Sequence, residues 1–204
     1  SGSCRRAAAG SAGGSRPSQA ARRATYASAE SPSFEAVLAD FLARGQERFA
    51  ACCIAVAGPV RDNRCQTTNL PWELDGAALA ARFAIPVFAI VNDLVALGHG
   101  LPHLDADELA SLQEGNADPA GNGLLVAVGT GFGVAFLARE AGGWRAQASE
   151  GGHMDLAARD LLESTIVEVR AERLGGHVSI ERVVSGSGLR NLYAGYQSME
   201  QYDR

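Results

Sequence analysis

The sequence predicts an α/β fold, and two patterns along the chain indicate it. Short apolar runs of the length of buried strands alternate with segments in which apolar residues recur every three or four positions, as on one face of a helix. The chain has 204 residues, of which 47% are hydrophobic, so it can form one large domain or two small ones.

Four elements are predicted in the first half of the chain. Ser31 and Pro32 are a suitable cap and first residue of a helix that ends at Gly45. The apolar face of this helix is formed by Phe34, Val37, Leu38, Phe41 and Leu42. Buried strands are predicted over Ala51–Ala57 and Pro86–Val91, with a helix over Asp75–Phe83 between them.

The second half continues the alternation. Strands are predicted over Leu124–Val128 and Val134–Ala138, on either side of a glycine-rich turn. The last predicted elements are a helix with the apolar stripe Leu161, Leu162, Thr165, Ile166 and Val169, ended by Gly175-Gly176, and a helix that includes Leu189, Leu192 and Tyr193. The stretch from Pro102 to Gly123, with its acids, glycines and asparagines, is the predicted connection between two domains.

The composition excludes several functions. The net charge of -5 argues against a general nucleic-acid binder, and no apolar run approaches the ~18 residues of a membrane-spanning helix. All 18 basic residues are arginines, which excludes Schiff-base chemistry and a Walker-type phosphate lysine. The cysteines form no Cys-x-x-Cys pair, so reduced thiols in the cytoplasm are expected. Cys52 and Cys53 are interpreted as small buried residues on opposite faces of a strand.

Residues 1–24 differ from the rest of the chain. They contain five arginines, no acidic residue and no large apolar residue that could anchor them to a core. We expect a disordered or non-native leader, either a transit-type segment or an artefact of the gene model.

The pair Asn92-Asp93 follows a predicted apolar strand, at the carboxyl end where open α/β sheets bind ligands. Asn offers a donor and an acceptor, and Asp is an anionic acceptor near neutral pH. The pair therefore suits a substrate with neighbouring hydroxyls, with Asp93 as proton acceptor. The alternative is that Asp93 only caps the following helix.

The segment Gly129-Thr130-Gly131-Phe132-Gly133 lies between two predicted strands. Its glycines permit close approach of the backbone, so amides could converge on phosphate oxygens while Thr130 adds a hydroxyl. A simple glycine-rich hairpin turn is the alternative.

Two further stretches carry acidic residues and a histidine. In Glu150-Gly151-Gly152-His153-Met154-Asp155 the glycines could let Glu150 and His153 face one point and bind sugar hydroxyls. A metal site of Glu150, His153 and Asp155 is the alternative, but no further His or Cys stands at short spacing, so no metal ligand is predicted. Glu181 is either a functional acid or an ordinary acid in a first helical turn.

In this order, the motifs resemble the bacterial ATP-dependent glucokinase family, within the hexokinase and actin-like ATPase superfamily. The resemblance runs from about Thr25 to Tyr193. It is carried by Thr68-Asn69-Leu70-Pro71-Trp72, Asn92-Asp93, Gly129-Thr130-Gly131, Glu150-Gly151-Gly152-His153 and the run from His177 to Val183.

The resemblance implies a ribonuclease H-like fold with a small α/β domain at residues 25–103 and the start of an incomplete large domain at 104–204. It implies transfer of the γ-phosphoryl group of ATP to glucose O6, with ATP and Mg²⁺ as cofactors and glucose as partner, and it leaves a homodimer open. Asp93 would be the general base. Asn92, Asp93, Glu150, His153 and Glu181 would bind glucose, and Gly129, Thr130, Gly131 and Gly133 would form the second phosphate loop.

Three departures from the family pattern change what is expected. The opening loop Gly-Asp-x-Gly-Gly-Thr-Asn has no counterpart in residues 1–24, and Ala127 stands where the second phosphate loop usually has another glycine. The sequence also ends at Arg204, before the segment that we expect to complete the large domain and to hold the adenosine. We therefore expect a partial or impaired copy with little activity of its own. A non-catalytic sugar-binding protein and a truncated fragment without independent function stay open as alternatives.

Overall fold

The computed structural model describes residues 5–9, 22–67, 70–116, 118–141 and 143–202, with the backbone alone for 5–9 and 195–202. The chain divides into two compact units, Ser1–Ala96 and Leu97–Arg204. The predicted boundary between residues 103 and 104 lies a few residues later and stays a prediction. No helix in the described ranges is long and apolar enough to cross a membrane.

The first unit contains both helices and strands. In chain order they are β1 (Arg5–Ala9), β2 (Arg22–Tyr26), a 3₁₀ turn (Ser28–Glu30), α1 (Phe34–Ala43), β3 (Ala51–Val56), β4 (Arg64–Gln66), β5 (Glu73–Asp75), α2 (Gly76–Phe83), β6 (Val87–Asn92) and α3 (Asp93–Gly100). The predicted helices and buried strands are present here, but the cap of α1 is Ser33, whose hydroxyl accepts from Ala36 N at 3.2 Å, so the predicted start at Ser31 and Pro32 is wrong. The short antiparallel pair β4–β5 was not predicted, because each strand has three residues and lacks an apolar run.

The β1–β2 pair lies partly within the expected leader. Arg5 pairs with Tyr26 and Ala9 with Arg22 in an antiparallel ladder. Backbone pairing needs no large apolar side chain, which is why the composition of residues 1–24 did not reveal it. Arg22 also lies 4.7 Å from the ring centre of Phe41 on α1. The assignment of residues 1–24 as a disordered or non-native leader stays a prediction.

The core of the first unit forms around the parallel pair β3–β6, in which Val56 is the partner of Asn92. Because parallel strands end at the same edge of a sheet, the residues after Val56 lie beside Asn92. Asp75 caps α2 by accepting hydrogen bonds from Ala77 N and Ala78 N, so this helix begins at Gly76. The buried core comprises Leu38, Val56, Cys65, Leu74, Leu79, Ile85, Phe88 and Ile90.

The cysteines follow the alternation of β3. Cys52 is partly buried, and this desolvation raises the pKa of its thiol to about 11. Cys53 points to the other face, as predicted, but it is exposed, so its interpretation as a buried packing residue is wrong. The exposed face of β3 also carries Ala51 and Ala55, whose small side chains gave no sign of exposure in the sequence.

The second unit is built on the antiparallel sheet β7–β8–β9. Its elements are 3₁₀ turns at Leu101–His103 and Ala106–Glu108, β7 (Gly123–Val128), β8 (Phe132–Glu140), β9 (Gly143–Ser149), 3₁₀ turns at Gly151–His153 and Ile180–Arg182, and helices α4 (Leu161–Leu174) and α5 (Gly186–Tyr202). As predicted, α4 ends at Gly175, which adopts a φ of 79°.

Candidate functional site

Asn92 and Asp93 lie at the junction of β6 and α3, as the sequence predicted. The Asn92 side-chain oxygen accepts hydrogen bonds from Leu94 N at 3.0 Å and Val95 N at 3.3 Å. Its amide nitrogen donates to the carbonyl of Gly58, 3.3 Å away in the loop after β3. Asn92 is therefore the residue that caps α3, and its amide also fixes the neighbouring loop.

The Asp93 side chain is half-buried and makes fewer hydrogen bonds than that of Asn92. Its Oδ1 shares the Leu94 amide with Asn92, at 3.0 Å. Within the described residues no other group bonds to this carboxylate. Asn92 therefore makes most of the capping bonds to α3, and the role of Asp93 as a proton acceptor stays a prediction.

The glycine-rich segment forms a tight hairpin turn between β7 and β8, whose last register pair is Val128 with Phe132. Inside the turn, Gly129 N donates to Gly131 O at 2.9 Å, and Gly129 O accepts from Gly186 N at 2.8 Å. The turn thus contacts the first residue of α5. Gly133 lies within β8 opposite Ala127, so it belongs to the strand rather than to the turn.

Glu150 and His153 lie on one 3₁₀ turn, where His153 N donates to Glu150 O at 2.9 Å. Ser149 anchors this turn on β8, because its hydroxyl donates to Val134 O at 2.9 Å and accepts from Gly151 N at 3.2 Å. A Cβ on Gly152 would lie 1.8 Å from the carbonyl oxygen of Phe132, so the close approach requires glycine. The side chains of Glu150 and His153 are both exposed.

Glu181 lies on a second 3₁₀ turn that is joined to the first. Ile180 N donates to Met154 O at 2.9 Å, directly after His153. The Glu181 carboxylate accepts a hydrogen bond from Phe132 N at 2.9 Å, at the end of the glycine turn. Glu181 therefore joins this turn to the hairpin, and its role in binding a ligand stays a prediction. The structure brings Glu150, His153 and Glu181 onto adjacent turns beside the glycine-rich hairpin.

The metal alternative finds no support in the described ranges. Asp155 Oδ1 lies 3.1 Å from His177 Nε2, so this acid pairs with a different histidine from the one considered. No group of three or more His, Cys, Asp or Glu side chains that could hold a metal ion is found among the residues the structure describes. Of the remaining motif residues, Thr68 and Asn69 lie outside the described residues.

Sequence reasoning missed several residues that support these positions. Gly58 and Ser149 hold the two predicted segments through hydrogen bonds, and neither belongs to a recognisable motif. Asn63 bonds to the backbone of β6 and was also missed. Here a signal was available, because Asp62-Asn63 is a dipeptide typical of tight turns.

Comparisons with known proteins define the class and then the family. The structure of a glucokinase from an Antarctic psychrotroph matches with a TM-score of 0.73 and 29% identity, over 88% of this chain and 56% of that chain. The glucokinase of Balamuthia mandrillaris, solved in complex with glucose, matches with a TM-score of 0.57 and 25% identity, over 73% of this chain and 47% of that one. The predicted α/β fold of the actin-like ATPase class is thereby confirmed.

Within that class, the profile of the glucokinase family matches residues 5–204. The glucokinase of Synechocystis sp. is 41% identical over 146 residues, which are 71% of this chain and 41% of that relative. The chain belongs to the glucokinase family, and the resemblance drawn from its motifs is confirmed. It spans about half the length of the relatives it matches.

Proposed function

We propose that this chain binds glucose and slowly transfers the γ-phosphoryl group of ATP to the glucose 6-hydroxyl, giving glucose 6-phosphate. One observation carries the proposal. Two adjacent 3₁₀ turns present Glu150, His153 and Glu181, and Glu181 is bonded to the amide that ends the glycine-rich hairpin. The candidate sugar-binding residues are thus held next to the candidate phosphate loop by a direct hydrogen bond.

The three side chains suit a sugar. Two carboxylates accept hydrogen bonds from hydroxyls, and an imidazole can donate or accept. Glu150 and His153 are exposed, so they are accessible to a ligand. The related Balamuthia mandrillaris glucokinase was solved in complex with glucose, which favours glucose as the sugar for this chain.

Asp93 is proposed as the general base for the 6-hydroxyl. A base must accept the hydroxyl proton as the oxygen attacks the γ-phosphorus. The hydrogen bond from Leu94 N orients this carboxylate through Oδ1 and leaves the other oxygen for the substrate. Asn92 holds the strand end in place and binds glucose only with the part of its amide that helix capping leaves available.

The hairpin turn is proposed to bind phosphate of ATP. Among the described residues, no hydrogen bond is found to the backbone amides of Thr130 and Gly131, so both can donate to phosphate oxygens. Gly129 shapes the turn, and Gly133 keeps β8 free of a side chain there. Mg²⁺ is part of the proposal as an ion that neutralises phosphate charge. With no ligand cluster in the described ranges, phosphate oxygens and water would hold most of it.

Location and assembly belong to the same proposal. The described cysteines are free thiols, which supports a reducing compartment such as the cytoplasm. A homodimer rests on the resemblance alone, and light scattering of the purified chain tests it.

Two measurements on the purified chain test the proposed function. Calorimetric titration with glucose measures binding, and γ-labelled ATP measures transfer over long incubations that detect slow turnover. Saturable binding with labelled glucose 6-phosphate supports the proposal. Binding without transfer would instead identify a non-catalytic sugar-binding protein, and the absence of both would identify a fragment without independent function.

A further inference from the structure

The residues Asp62 and Asn63 form a two-residue turn between Arg61 and Arg64. Arg61 N donates to Arg64 O at 3.0 Å, and Arg64 N donates to Arg61 O at 2.8 Å. Both turn residues have positive φ, 49° and 59°. Apart from glycine, Asn and Asp are the residues that adopt this conformation most readily, so the turn is well specified by its sequence.

The side chain of Asn63 takes the place of a strand neighbour for β6. Its Nδ2 donates to Phe88 O at 2.7 Å, and its Oδ1 accepts from Ile90 N at 2.7 Å. A carboxamide carries one acceptor and donors, as a peptide group does, so it can complete both bonds. The opposite edge of β6 is already paired with β3, where Ile54 is the partner of Ile90.

The backbone of Asn63 is fixed as well. Its carbonyl accepts a hydrogen bond from Gly76 N, the first residue of α2, at 3.0 Å. A Cβ on Gly76 would lie 2.0 Å from Asn63 Nδ2, so this approach leaves no room for a side chain. Asn63 is thus held by α2 on one side while it holds β6 on the other.

We infer that Asn63 is a positioning residue, which fixes the carboxyl end of β6 and thereby the orientation of Asn92 and Asp93. The Ile90 amide that it binds lies two residues before Asn92, on the same strand. Ile90 and Asn92 lie on the same face of the strand and are separated by one residue, so a shift of the backbone at Ile90 also shifts Asn92. The Asn92 bonds to Gly58 and to α3 fix the strand after this point, and Asn63 fixes it before. The catalytic consequence rests on the proposed role of Asp93.

Four substitutions separate this role from general stability. Asn63→Gly keeps the positive φ but removes both bonds to β6. Asn63→Asp keeps the acceptor for Ile90 N and places an oxygen against Phe88 O in place of the donor. Asp62→Gly is the matched control, since it changes the same turn at a side chain with no hydrogen bond in the described residues. Phe41→Leu is a second control, because Phe41 is buried on α1 outside the core around β6.

The first readout is hydrogen exchange of the backbone amides from Ile90 to Leu94, which needs no ligand. We expect at least tenfold faster exchange there in Asn63→Gly and Asn63→Asp, and unchanged exchange in Asp62→Gly. Phe41→Leu should lower Tm without accelerating exchange in this segment selectively. Unchanged exchange in both Asn63 variants overturns the inference. The inference is also overturned if Phe41→Leu, with the same Tm as the Asn63 variants, accelerates exchange from Ile90 to Leu94 as much as they do.

The second readout concerns catalysis. We expect the Asn63 variants to lose about tenfold in kcat for phosphoryl transfer while KM for glucose changes less than threefold, and Phe41→Leu to keep the kcat of the parent below its Tm. A parent chain without transfer contradicts the proposed function, and the exchange measurement then still decides the role of Asn63. A parent that transfers phosphate as fast as its Asn63 variants overturns the positioning role.

Discussion

The carboxylate of Glu181 accepts a hydrogen bond from the backbone amide of Phe132, 49 residues earlier in the chain, at 2.9 Å. This bond joins a proposed sugar-binding acid to the end of the proposed phosphate turn. It also explains a requirement for glycine nearby, because a Cβ on Gly131 would lie 2.5 Å from Glu181 Oε2. A substitution at Gly131 in the glycine-rich turn should therefore change the position of the Glu181 carboxylate, and a substitution of Glu181 should change the turn.

Gly131→Ala should weaken glucose binding, because the new methyl group displaces the Glu181 carboxylate. A hydrogen bond of this kind contributes ~1–3 kcal/mol, so we expect Kd for glucose to rise roughly 5-fold or more. Gly129→Ala is the control, since its Cβ would have no neighbour within 4 Å. Calorimetric titration of both variants is the measurement. Equal Kd values for the two would show that Glu181 does not depend on this contact.

Asp93→Asn should remove the base and leave binding largely intact. The substituted side chain can still accept from Leu94 N through its oxygen, so the junction of β6 and α3 is kept. We expect kcat to fall at least ~10²-fold with a smaller change in KM for glucose. Transfer from γ-labelled ATP, compared between parent and variant, is the test. An unchanged kcat would refute the role of Asp93.

Gly152→Ala should destabilise the fold around the first 3₁₀ turn. The methyl group would meet the Phe132 carbonyl oxygen at 1.8 Å, and a backbone atom cannot move aside without shifting β8. Overpacking of this kind costs ~1–3 kcal/mol, which corresponds to a fall in Tm of roughly 2–12 °C. Thermal unfolding followed by circular dichroism measures it. Gly129→Ala serves again as the control, and a Gly152→Ala protein as stable as that control would contradict the packing described.

Asp75→Ala should reduce stability in a pH-dependent way. Hydrogen bonding from the backbone of Ala78 is the largest cause that lowers the pKa of Asp75 below its ordinary value of 3.8, and Arg64 contributes. A carboxyl with a depressed folded-state pKa stabilises the fold above its unfolded pKa, and this contribution is lost as pH falls through the folded pKa. The variant should therefore have a lower Tm than the parent at about pH 7, and the difference should shrink below about pH 4.

Asp75→Asn is the matched comparison for that experiment. Its side chain can still cap α2 but carries no charge for Arg64, which lies 2.7 Å from the carboxylate in an ion pair. Its Tm should lie between those of the parent and Asp75→Ala at about pH 7. A difference between parent and Asp75→Ala that stays constant from about pH 7 to pH 3 would contradict the assigned pKa shift.

Much of the fold follows from local patterns in the sequence. The apolar stripe from Phe34 to Leu42 and the glycine at Gly175 each mark a helix that the structure contains. The strands over β3, β6, β7 and β8 were marked by their apolar runs. By contrast, β4, β5 and β9 have few consecutive apolar residues, and they are strands because of their partners in space.

The sequence predicted which residues form the candidate site but not the hydrogen bonds that they make. Motif order pointed to Asn92, Glu150, His153 and Glu181, but the sequence could not show that Asn92 caps α3. Nor could it show that Glu181 bonds to Phe132, since 49 residues separate them. That Glu150 and His153 face one point stays a prediction. Long-range hydrogen bonds depend on how turns pack, and no local propensity encodes them.

The measurement that tests the account most directly is calorimetric titration of the chain with glucose, beside Glu181→Ala and the control Glu172→Ala. Glu172 is exposed on α4, so its removal should leave Kd unchanged. Loss of the Glu181 carboxylate should weaken glucose binding roughly 5- to 150-fold, because a hydroxyl left without its partner costs ~1–3 kcal/mol. Glu150→Ala should behave in the same way. Equal glucose affinity in parent, Glu150→Ala and Glu181→Ala would contradict the proposed sugar site.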